Sequence, residues 1–196
     1  MERKRKKKRN SSLFWSVGCI FTLVLPLSIY APLANKDVQN GYPTPPSKFE
    51  RLFYIQRTGN TNTIVYDVNF SAHKTINADN PINAYWIRYA DNGETKPLSY
   101  IQKTFAYGTK SKKLVPDNTF EFNLVSYSKK KMTLALDNNG KPCVFTDING
   151  KKIQLEHIFV KTEGGNMLSF VPKVQYVEIF GKDTNTGAAI YEKIIP

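Results

Sequence analysis

The chain has 196 residues and a formal net charge of +12, with 41% hydrophobic and 13% aromatic residues and two cysteines. This length suits one domain with an extension, and a domain of that size buries enough core to fold without disulfide bonds. Seven basic residues fall within the first ten positions, which leaves 21 basic against 15 acidic residues in the remainder. Because that excess is mild for a whole domain, the charge does not indicate a nucleic-acid-binding protein.

The first 34 residues have the organisation of an export signal or a signal anchor. Residues 1–12 form a basic segment, and the 22 residues of Leu13–Ala34 carry no charge. As a helix, 22 residues are long enough to cross the hydrocarbon core of a bilayer, with the positive flank kept in the cytoplasm. The alternative, a buried helix of a soluble protein, gives no reason for seven flanking cations.

The sequence leaves open whether this apolar segment is cleaved. A signal peptidase requires small residues one and three positions before the cut, and neither Ala31 nor Ala34 has a small residue two positions earlier. The sequence therefore slightly favours a retained anchor over a cleaved signal peptide. Residues 35–48 contain three prolines and predict an extended linker, followed by a single β-rich domain over residues 49–196.

Nine short strands are predicted in this domain. Alternating apolar and polar residues, bounded by turn-forming residues, mark each strand. The predicted strands are Arg51–Arg57, Thr63–Phe70, Asn83–Ala90, Phe120–Leu124, Met132–Leu136, Pro142–Ile148, Lys152–Val160, Lys173–Phe180 and Ala188–Ile195. The first two and the last two should form hairpins, and the fourth to seventh a meander. Short, closely spaced strands without βαβ alternation predict an all-β fold, either an antiparallel sandwich or a lipocalin-like barrel.

One short helix is predicted over Pro97–Tyr107. Proline suits the first helical turn, and Gly108 suits the position after the last one. The residues that recur at helical spacing are Leu98, Ile101, Gln102 and Phe105. This helix could plug the end of a barrel or cover a sheet edge.

A pentapeptide occurs twice, as YIQRT at Tyr54–Thr58 and as YIQKT at Tyr100–Thr104. The first copy lies in a predicted strand and the second in the predicted helix. The two copies are therefore not a structural repeat, because duplicated units should share their fold. Their likeness is either chance or the result of two glutamine–cation pairs that face one shared neighbourhood.

No catalytic or metal-binding motif is recognisable. The chain has no nucleophile elbow, phosphate loop or dinucleotide fingerprint, and it contains only two histidines. His157 lies on the apolar side of its predicted strand, where a core histidine is more common than a zinc ligand. Asp67 and Glu156 could act as glycosidase carboxylates only if the fold brought them together in a cleft. The sequence therefore predicts no catalytic residue, no metal ligand and no cofactor.

The densest group of aromatic and cationic residues is the candidate binding site. Its members, with one glutamine, are Tyr54, Arg57, Tyr85, Trp86, Arg88, Tyr89, Gln102 and Tyr107. Aromatic faces beside guanidinium groups suit sugars or planar ligands. The same residues would also suit a β core whose tyrosine hydroxyls reach the rim, and this interpretation is favoured.

Two lysine clusters could contact anionic lipid headgroups or polysaccharide near a membrane. They comprise Lys110, Lys112 and Lys113 in one place and Lys129–Lys131 in another. Protection of sheet edges and solubility explain them more simply.

Four segments carry a resemblance to a known family. They are LFYIQRTGNTNTIVYDVNF at Leu52–Phe70, PINAYWIRYA at Pro81–Ala90, YIQKTFAYG at Tyr100–Gly108 and VQYVEIFGKDTNTG at Val174–Gly187. Together they resemble domain of unknown function 4833, over about residues 43–196. The resemblance implies a short exported protein of the Bacteroidota type. It implies no activity, cofactor or catalytic residue, so no role is transferred to any position.

The sequence predicts an exported, membrane-tethered envelope domain that binds or scaffolds without catalysis. A carrier of a lipid-like ligand is the first alternative and requires an apolar lumen inside a barrel. An envelope hydrolase acting on a glycan or an ester is the second, and it requires His157 or a carboxylate pair to open onto a cleft.

The expected partners are the membrane, through residues 13–34 if they are uncleaved, and an envelope protein, lipid or glycan, but no nucleic acid. The domain would lie on the periplasmic side of the inner membrane, or free in the periplasm or outside the cell after cleavage.

Overall fold

The computed structural model describes residues 41–72, 74–115, 118–163 and 173–196. The predicted membrane segment over residues 13–34 lies outside the described residues, as do His73 and the first part of the predicted linker. The described residues all belong to one compact unit, Ala34–Pro196. In these four ranges no helix combines the length and the apolar character needed to span a bilayer.

Eleven strands and one short α-helix form the described part of the chain. The strands are β1 (Arg51–Arg57), β2 (Thr63–Val68), β3 (Ile82–Arg88), β4 (Glu94–Pro97), β5 (Thr109–Leu114), β6 (Thr119–Leu124), β7 (Tyr127–Leu136), β8 (Pro142–Ile148), β9 (Lys151–Glu163), β10 (Lys173–Asp183) and β11 (Ala189–Ile194). Helix α1 (Tyr100–Phe105) connects β4 to β5, and a 3-10 turn (Tyr89–Asp91) follows β3. The predicted all-β class with one short helix is confirmed.

The strands form one sheet in the order β4-β3-β2-β1-β9-β8-β7-β6-β5, with β10 and β11 attached to β9. Strand β10 runs along one edge of β9, so β8 and β1 share the other edge. Strand β8 pairs with residues 151–154 and β1 with residues 157–160, and the sheet therefore divides at β9. We call β1–β4 the first arm and β5–β8 the second arm. The sheet curls into a half-barrel.

The predicted hairpins and meander are present, and the paired strands are antiparallel except at one junction. Strands β1 and β2 form a hairpin, as do β10 and β11, and β6 to β9 form the meander. The exception is β1, which pairs with β9 in parallel. These two strands lie about a hundred positions apart, so no turn signal in the sequence announces their pairing.

The core lies between the two arms. The ring of Phe53 stacks on that of Tyr66 with centroids 4.3 Å apart, and it faces Phe122 of the second arm at 6.3 Å. All three side chains are fully or almost fully buried, together with Phe120 and Leu134. Burial of each such side chain contributes about 1.5–3 kcal/mol to folding. The space between the arms is therefore filled by side chains.

The strands predicted from the sequence omit β4 and β5, which are the outermost strands of the first and the second arm. Almost all of their residues are exposed, so neither strand has the buried side chains that produce an apolar alternation. Pro97 ends β4 instead of opening the helix, and α1 begins after Ser99. The predicted helix is therefore too long at both ends, although its type and position are right.

Candidate functional site

A pocket of about 480 Å³ lies between the first arm and α1. Its walls come from the end of β1, the β1–β2 turn, β3, β4 and the first residues of the helix. The lining residues are Arg57, Asn62, Trp86, Arg88, Lys96, Pro97, Leu98, Ser99 and Gln102. Four of the eight predicted site residues are among them.

The indole of Trp86 is the one aromatic ring among the lining residues of this pocket, which we call the Trp86 pocket. The side chain is 8% exposed, and its Nε1 donates a hydrogen bond to Oε1 of Gln102 over 3.3 Å. The guanidinium carbon of Arg57 lies 5.7 Å from the ring, within the range of a cation–π contact. The ring of Tyr107 meets the indole edge-on at 5.4 Å. Trp86 is therefore both a core residue and part of the lining of a pocket.

The charge of the lining residues is entirely positive. Arg57, Arg88 and Lys96 line the Trp86 pocket, and no carboxylate is among the lining residues. Arg88 also forms a salt bridge of 2.8 Å with Asp91 in the 3-10 turn. In the described part of the chain, Nε of Arg57 is buried without a hydrogen-bond partner. A buried donor without an acceptor is unfavourable, so this nitrogen lowers the stability of the folded domain.

Three predicted site residues lie on the other face of the sheet. Tyr85 neighbours Trp86 on β3 and therefore points the opposite way, and its hydroxyl donates to Oδ2 of Asp67 over 2.7 Å. Tyr54 faces the same side as Tyr85 through their shared partner Val65. The hydroxyl of Tyr89 donates to a backbone carbonyl of residues 41–48. The structure thus brings five of the eight residues together around the indole and separates three from them.

The second face carries an aromatic row that sequence reasoning missed. Tyr54, His157, Phe180 and Tyr191 are in direct register on β1, β9, β10 and β11. Successive ring centroids are 5.0, 4.3 and 5.0 Å apart. The row depends on the parallel β1–β9 pairing, so neither the spacing nor the periodicity of the sequence could reveal it.

His157 is the buried centre of this row. It is 5% exposed, and burial lowers its pKa from 6.5 to about 4. The imidazole is therefore neutral at physiological pH and lies between the rings of Tyr54 and Phe180. A core histidine was the favoured prediction at this position, and the side chain is packed between two rings.

Residues 41–48, which we call the strap, lie across the second face. The side-chain amide of Gln56 donates to the carbonyl of Pro43 over 2.8 Å, and Tyr42 meets the ring of Phe159 edge-on at 5.3 Å. At the other end, Nζ of Lys48 donates to the hydroxyl of Tyr85 over 2.9 Å. This part of the predicted linker therefore packs against the domain.

The carboxylates considered for hydrolysis have structural partners. Asp67 accepts hydrogen bonds from Nε of Arg51 and the Tyr85 hydroxyl, and Glu156 forms a salt bridge with Lys182. Among the described residues, no group of three or more histidine, cysteine or acidic side chains is placed to hold a metal ion.

The two copies of the pentapeptide adopt different structures, as predicted. Tyr54–Thr58 lies in β1 and the turn after it, whereas Tyr100–Thr104 lies in α1. Gln56 binds the strap, and Gln102 binds Trp86. The two glutamines therefore do not share a neighbourhood, and only Arg57 of the first copy and Gln102 of the second line the Trp86 pocket.

Comparison with known proteins identifies a family but no individual relative. No curated protein and no solved structure matches the chain. A family model described as "Domain of unknown function (DUF4833)" matches residues 53–193. The match covers more than half of the chain and contains all eight predicted site residues and every residue that lines the Trp86 pocket. The chain therefore belongs to the DUF4833 family.

Proposed function

We propose that the domain binds an anionic ligand in the Trp86 pocket and does so without catalysis. The supporting observation is the convergence of Arg57, Arg88 and Lys96 on a pocket that no carboxylate lines. Guanidinium groups bind carboxylates and phosphates through paired hydrogen bonds, and a flat apolar part of the ligand would rest on the indole.

The packed interior argues against a carrier of apolar molecules. The space between the arms, where a lipid-like ligand would have to lie, holds Phe53, Tyr66, Phe120 and Phe122, each at most 1% exposed. The Trp86 pocket lies beside this core and has a positive lining, which suits a hydrocarbon chain poorly.

The surroundings of His157 argue against a hydrolase. A general base must reach the substrate, whereas this imidazole is stacked between two rings and is 5% exposed. It does not line the Trp86 pocket. The carboxylates of Asp67 and Glu156 belong to separate ion pairs.

We further propose that the chain is exported and tethered on the periplasmic side of the inner membrane. The support is the basic segment of residues 1–12 followed by the uncharged Leu13–Ala34. A fusion of alkaline phosphatase to the C-terminus should be active and should stay in the membrane pellet after carbonate extraction. A released product that lacks residues 13–34 would show cleavage instead, and an inactive fusion would contradict export.

The pocket can be tested with a fragment of residues 35–196. This fragment contains the whole sheet and core, and Trp86 is its only tryptophan because Trp15 is removed. Titration with phenyl phosphate should change Trp86 fluorescence saturably, whereas neutral phenol should bind much more weakly. Inorganic phosphate should compete with phenyl phosphate for the cations.

Three variants test whether phenyl phosphate binds in the Trp86 pocket. Arg57→Gln and Arg88→Gln should each weaken phenyl phosphate binding by roughly tenfold, the loss expected for one charge-assisted contact. Lys129→Gln removes an exposed lysine from β7 and should leave the affinity unchanged. Absence of a saturable response in the parent fragment, or equal losses in all three variants, would refute the proposed function.

A further inference from the structure

Helix α1 presents an apolar surface to solvent. Tyr100, Ile101 and Phe105 are 80%, 68% and 72% exposed, and we call them the α1 face. Ile101 and Phe105 lie four residues apart and are therefore neighbours on one side of the helix. Single exposed apolar residues are ordinary, but a cluster of three large ones on six helical residues indicates an interaction surface.

The helix cannot turn this face inward, because its other side is fixed to the domain. Leu98 before the helix is buried, and Gln102 binds the indole of Trp86. The hydroxyl of Tyr66 donates to the carbonyl of Tyr107 over 2.8 Å and holds the chain after the helix. The α1 face is therefore displayed by a rigid support.

The segment of chain that carries the α1 face is strongly basic. Residues 94–114 contain five lysines and one glutamate, which gives this stretch a net charge of +4. The lysines are Lys96, Lys103, Lys110, Lys112 and Lys113. In the described part of the chain none of them forms a salt bridge. Even Glu121, which lies opposite Lys112 in the sheet, is paired with Lys131 instead.

We propose that the α1 face docks onto an anionic lipid bilayer. Aromatic and aliphatic side chains enter the boundary between headgroups and acyl chains, while lysines beside them contact the anionic headgroups. The α1 face and its lysines supply both components on adjoining elements. A bilayer suits this surface better than a folded partner because the five lysines are spread over β4, α1 and β5 and none of them has an acidic partner among the described residues that would fix one binding geometry.

The proposed tether would keep the domain as a whole near a membrane. The predicted anchor ends at Ala34 and the strap begins at Gly41, so six residues lie between them. Fully extended, the seven steps from Ala34 to Gly41 span at most about 25 Å. This proximity depends on the proposed tether, but the docking itself does not, and it is tested below without the anchor.

The test measures co-sedimentation of the 35–196 fragment with vesicles. Binding is expected to vesicles of phosphatidylcholine mixed with phosphatidylglycerol, and much less to phosphatidylcholine alone. The double variant Ile101→Ser/Phe105→Ser should lower the partition coefficient by roughly tenfold or more, because two large apolar side chains no longer enter the boundary. Ile195→Ser is the matched control, since Ile195 is 75% exposed on the branch that carries β11, and it should bind as the parent does.

Two further measurements test the contribution of charge to vesicle binding and the folding of the variants. Lys110→Gln/Lys112→Gln should also weaken binding and make it less sensitive to salt. Unchanged far-ultraviolet circular dichroism and unfolding temperature would show that each variant is folded, as expected for exposed positions.

Several outcomes would overturn the proposal. One is the absence of binding to anionic vesicles, and another is binding that the α1 double variant does not weaken. A concentration-dependent dimer of the fragment that the same double variant dissociates would assign the α1 face to a second copy of the chain. Loss of vesicle binding in Arg57→Gln but not in the α1 variant would assign the membrane contact to the Trp86 pocket.

The proposed ligand is tested independently of the docking. If phenyl phosphate does not bind while the vesicles do, the proposed ligand is refuted and the docking of the α1 face is not affected.

Discussion

The hydrogen bond from Nε1 of Trp86 to Oε1 of Gln102 joins β3 to α1 over 3.3 Å. The same oxygen accepts the backbone N–H of Ser99 over 2.9 Å, and the Ser99 hydroxyl accepts the backbone N–H of Gln102. These two reciprocal bonds form a capping box. A helix of six residues is not stable in isolation, so this one side chain both starts the helix and attaches it to the sheet.

Two replacements of Gln102 should distinguish the effect of losing the acceptor oxygen from the effect of changing the shape of the side chain. Gln102→Met removes Oε1, leaves the indole N–H and the Ser99 N–H without their acceptor, and should lower the free energy of unfolding by about 1–3 kcal/mol. Gln102→Glu keeps an oxygen for both donors and should lose much less. Urea unfolding of the 35–196 fragment measures both values. Equal losses in the two variants would contradict the assigned role of the oxygen.

The two copies of the pentapeptide show why local sequence predicted their structures correctly. Tyr54–Thr58 precedes a glycine-containing turn and a clean alternation, and both signals favour a hairpin. Tyr100–Thr104 lies between Pro97 and Gly108 in a segment with helical spacing, and these signals favour a helix. The residues that flank each copy, and not the pentapeptide itself, determine whether it forms a strand or a helix. The meander was predictable for the same reason, because its strands are consecutive and separated by short turns.

Features that depend on distant pairing were not predictable. The aromatic row requires Tyr54 to lie opposite His157, and that register results from the parallel contact of β1 with β9. The division of the candidate site into two faces has a related cause. Tyr85 and Trp86 are adjacent in sequence, and a strand directs adjacent side chains to opposite sides. Both residues were predicted in one site because they belong to the same aromatic and cationic group, whereas the strand places their side chains on opposite faces of the sheet.

A second prediction concerns the buried ion pair of Arg51 and Asp67 on the second face. Asp67→Asn should destabilise the domain by about 3 kcal/mol, because Arg51 is left as a buried charge without its carboxylate. Arg51→Met/Asp67→Leu removes both charges and should be less destabilising than the sum of the single replacements. It also removes Nη1 of Arg51, which has no partner in the described part of the chain.

A thermodynamic cycle measures this coupling. Chemical unfolding of the two single variants, Arg51→Met and Asp67→Leu, and of the double variant yields the interaction energy. Lys130 and Glu192 form a less buried pair on β7 and β11 and provide a comparison, for which a smaller coupling is expected. Strict additivity at Arg51 and Asp67 would show that their contact contributes nothing.

A third prediction concerns the sharp reversal of the chain after α1. A Cβ at Gly108 would clash with the backbone carbonyl of Lys103, and backbone atoms cannot move aside as the end of a side chain can. Gly108→Ala should therefore destabilise the domain by about 1–3 kcal/mol through overpacking. Because the carbonyl belongs to α1, the change should also alter Trp86 fluorescence in the 35–196 fragment. An unchanged unfolding midpoint would show that the helix end can shift without cost.

The last prediction concerns pH and His157. Burial lowers the pKa of this imidazole from 6.5 to about 4, so between these values the unfolded chain binds a proton that the folded chain does not. The stability that His157 contributes is therefore complete above pH 6.5 and is lost as the pH falls towards 4. The slope from this one proton is at most about 1.4 kcal/mol per pH unit.

His157→Phe cannot bind that proton, so its unfolding free energy should fall less steeply over this range than that of the parent domain. Urea unfolding at several pH values between 6.5 and 4.5 measures the difference in slope. Nuclear magnetic resonance provides a direct check, since the ring protons of His157 should titrate near pH 4. A midpoint near 6.5, or identical slopes for the parent and the variant, would mean that the imidazole between Tyr54 and Phe180 is accessible to protons in the folded state.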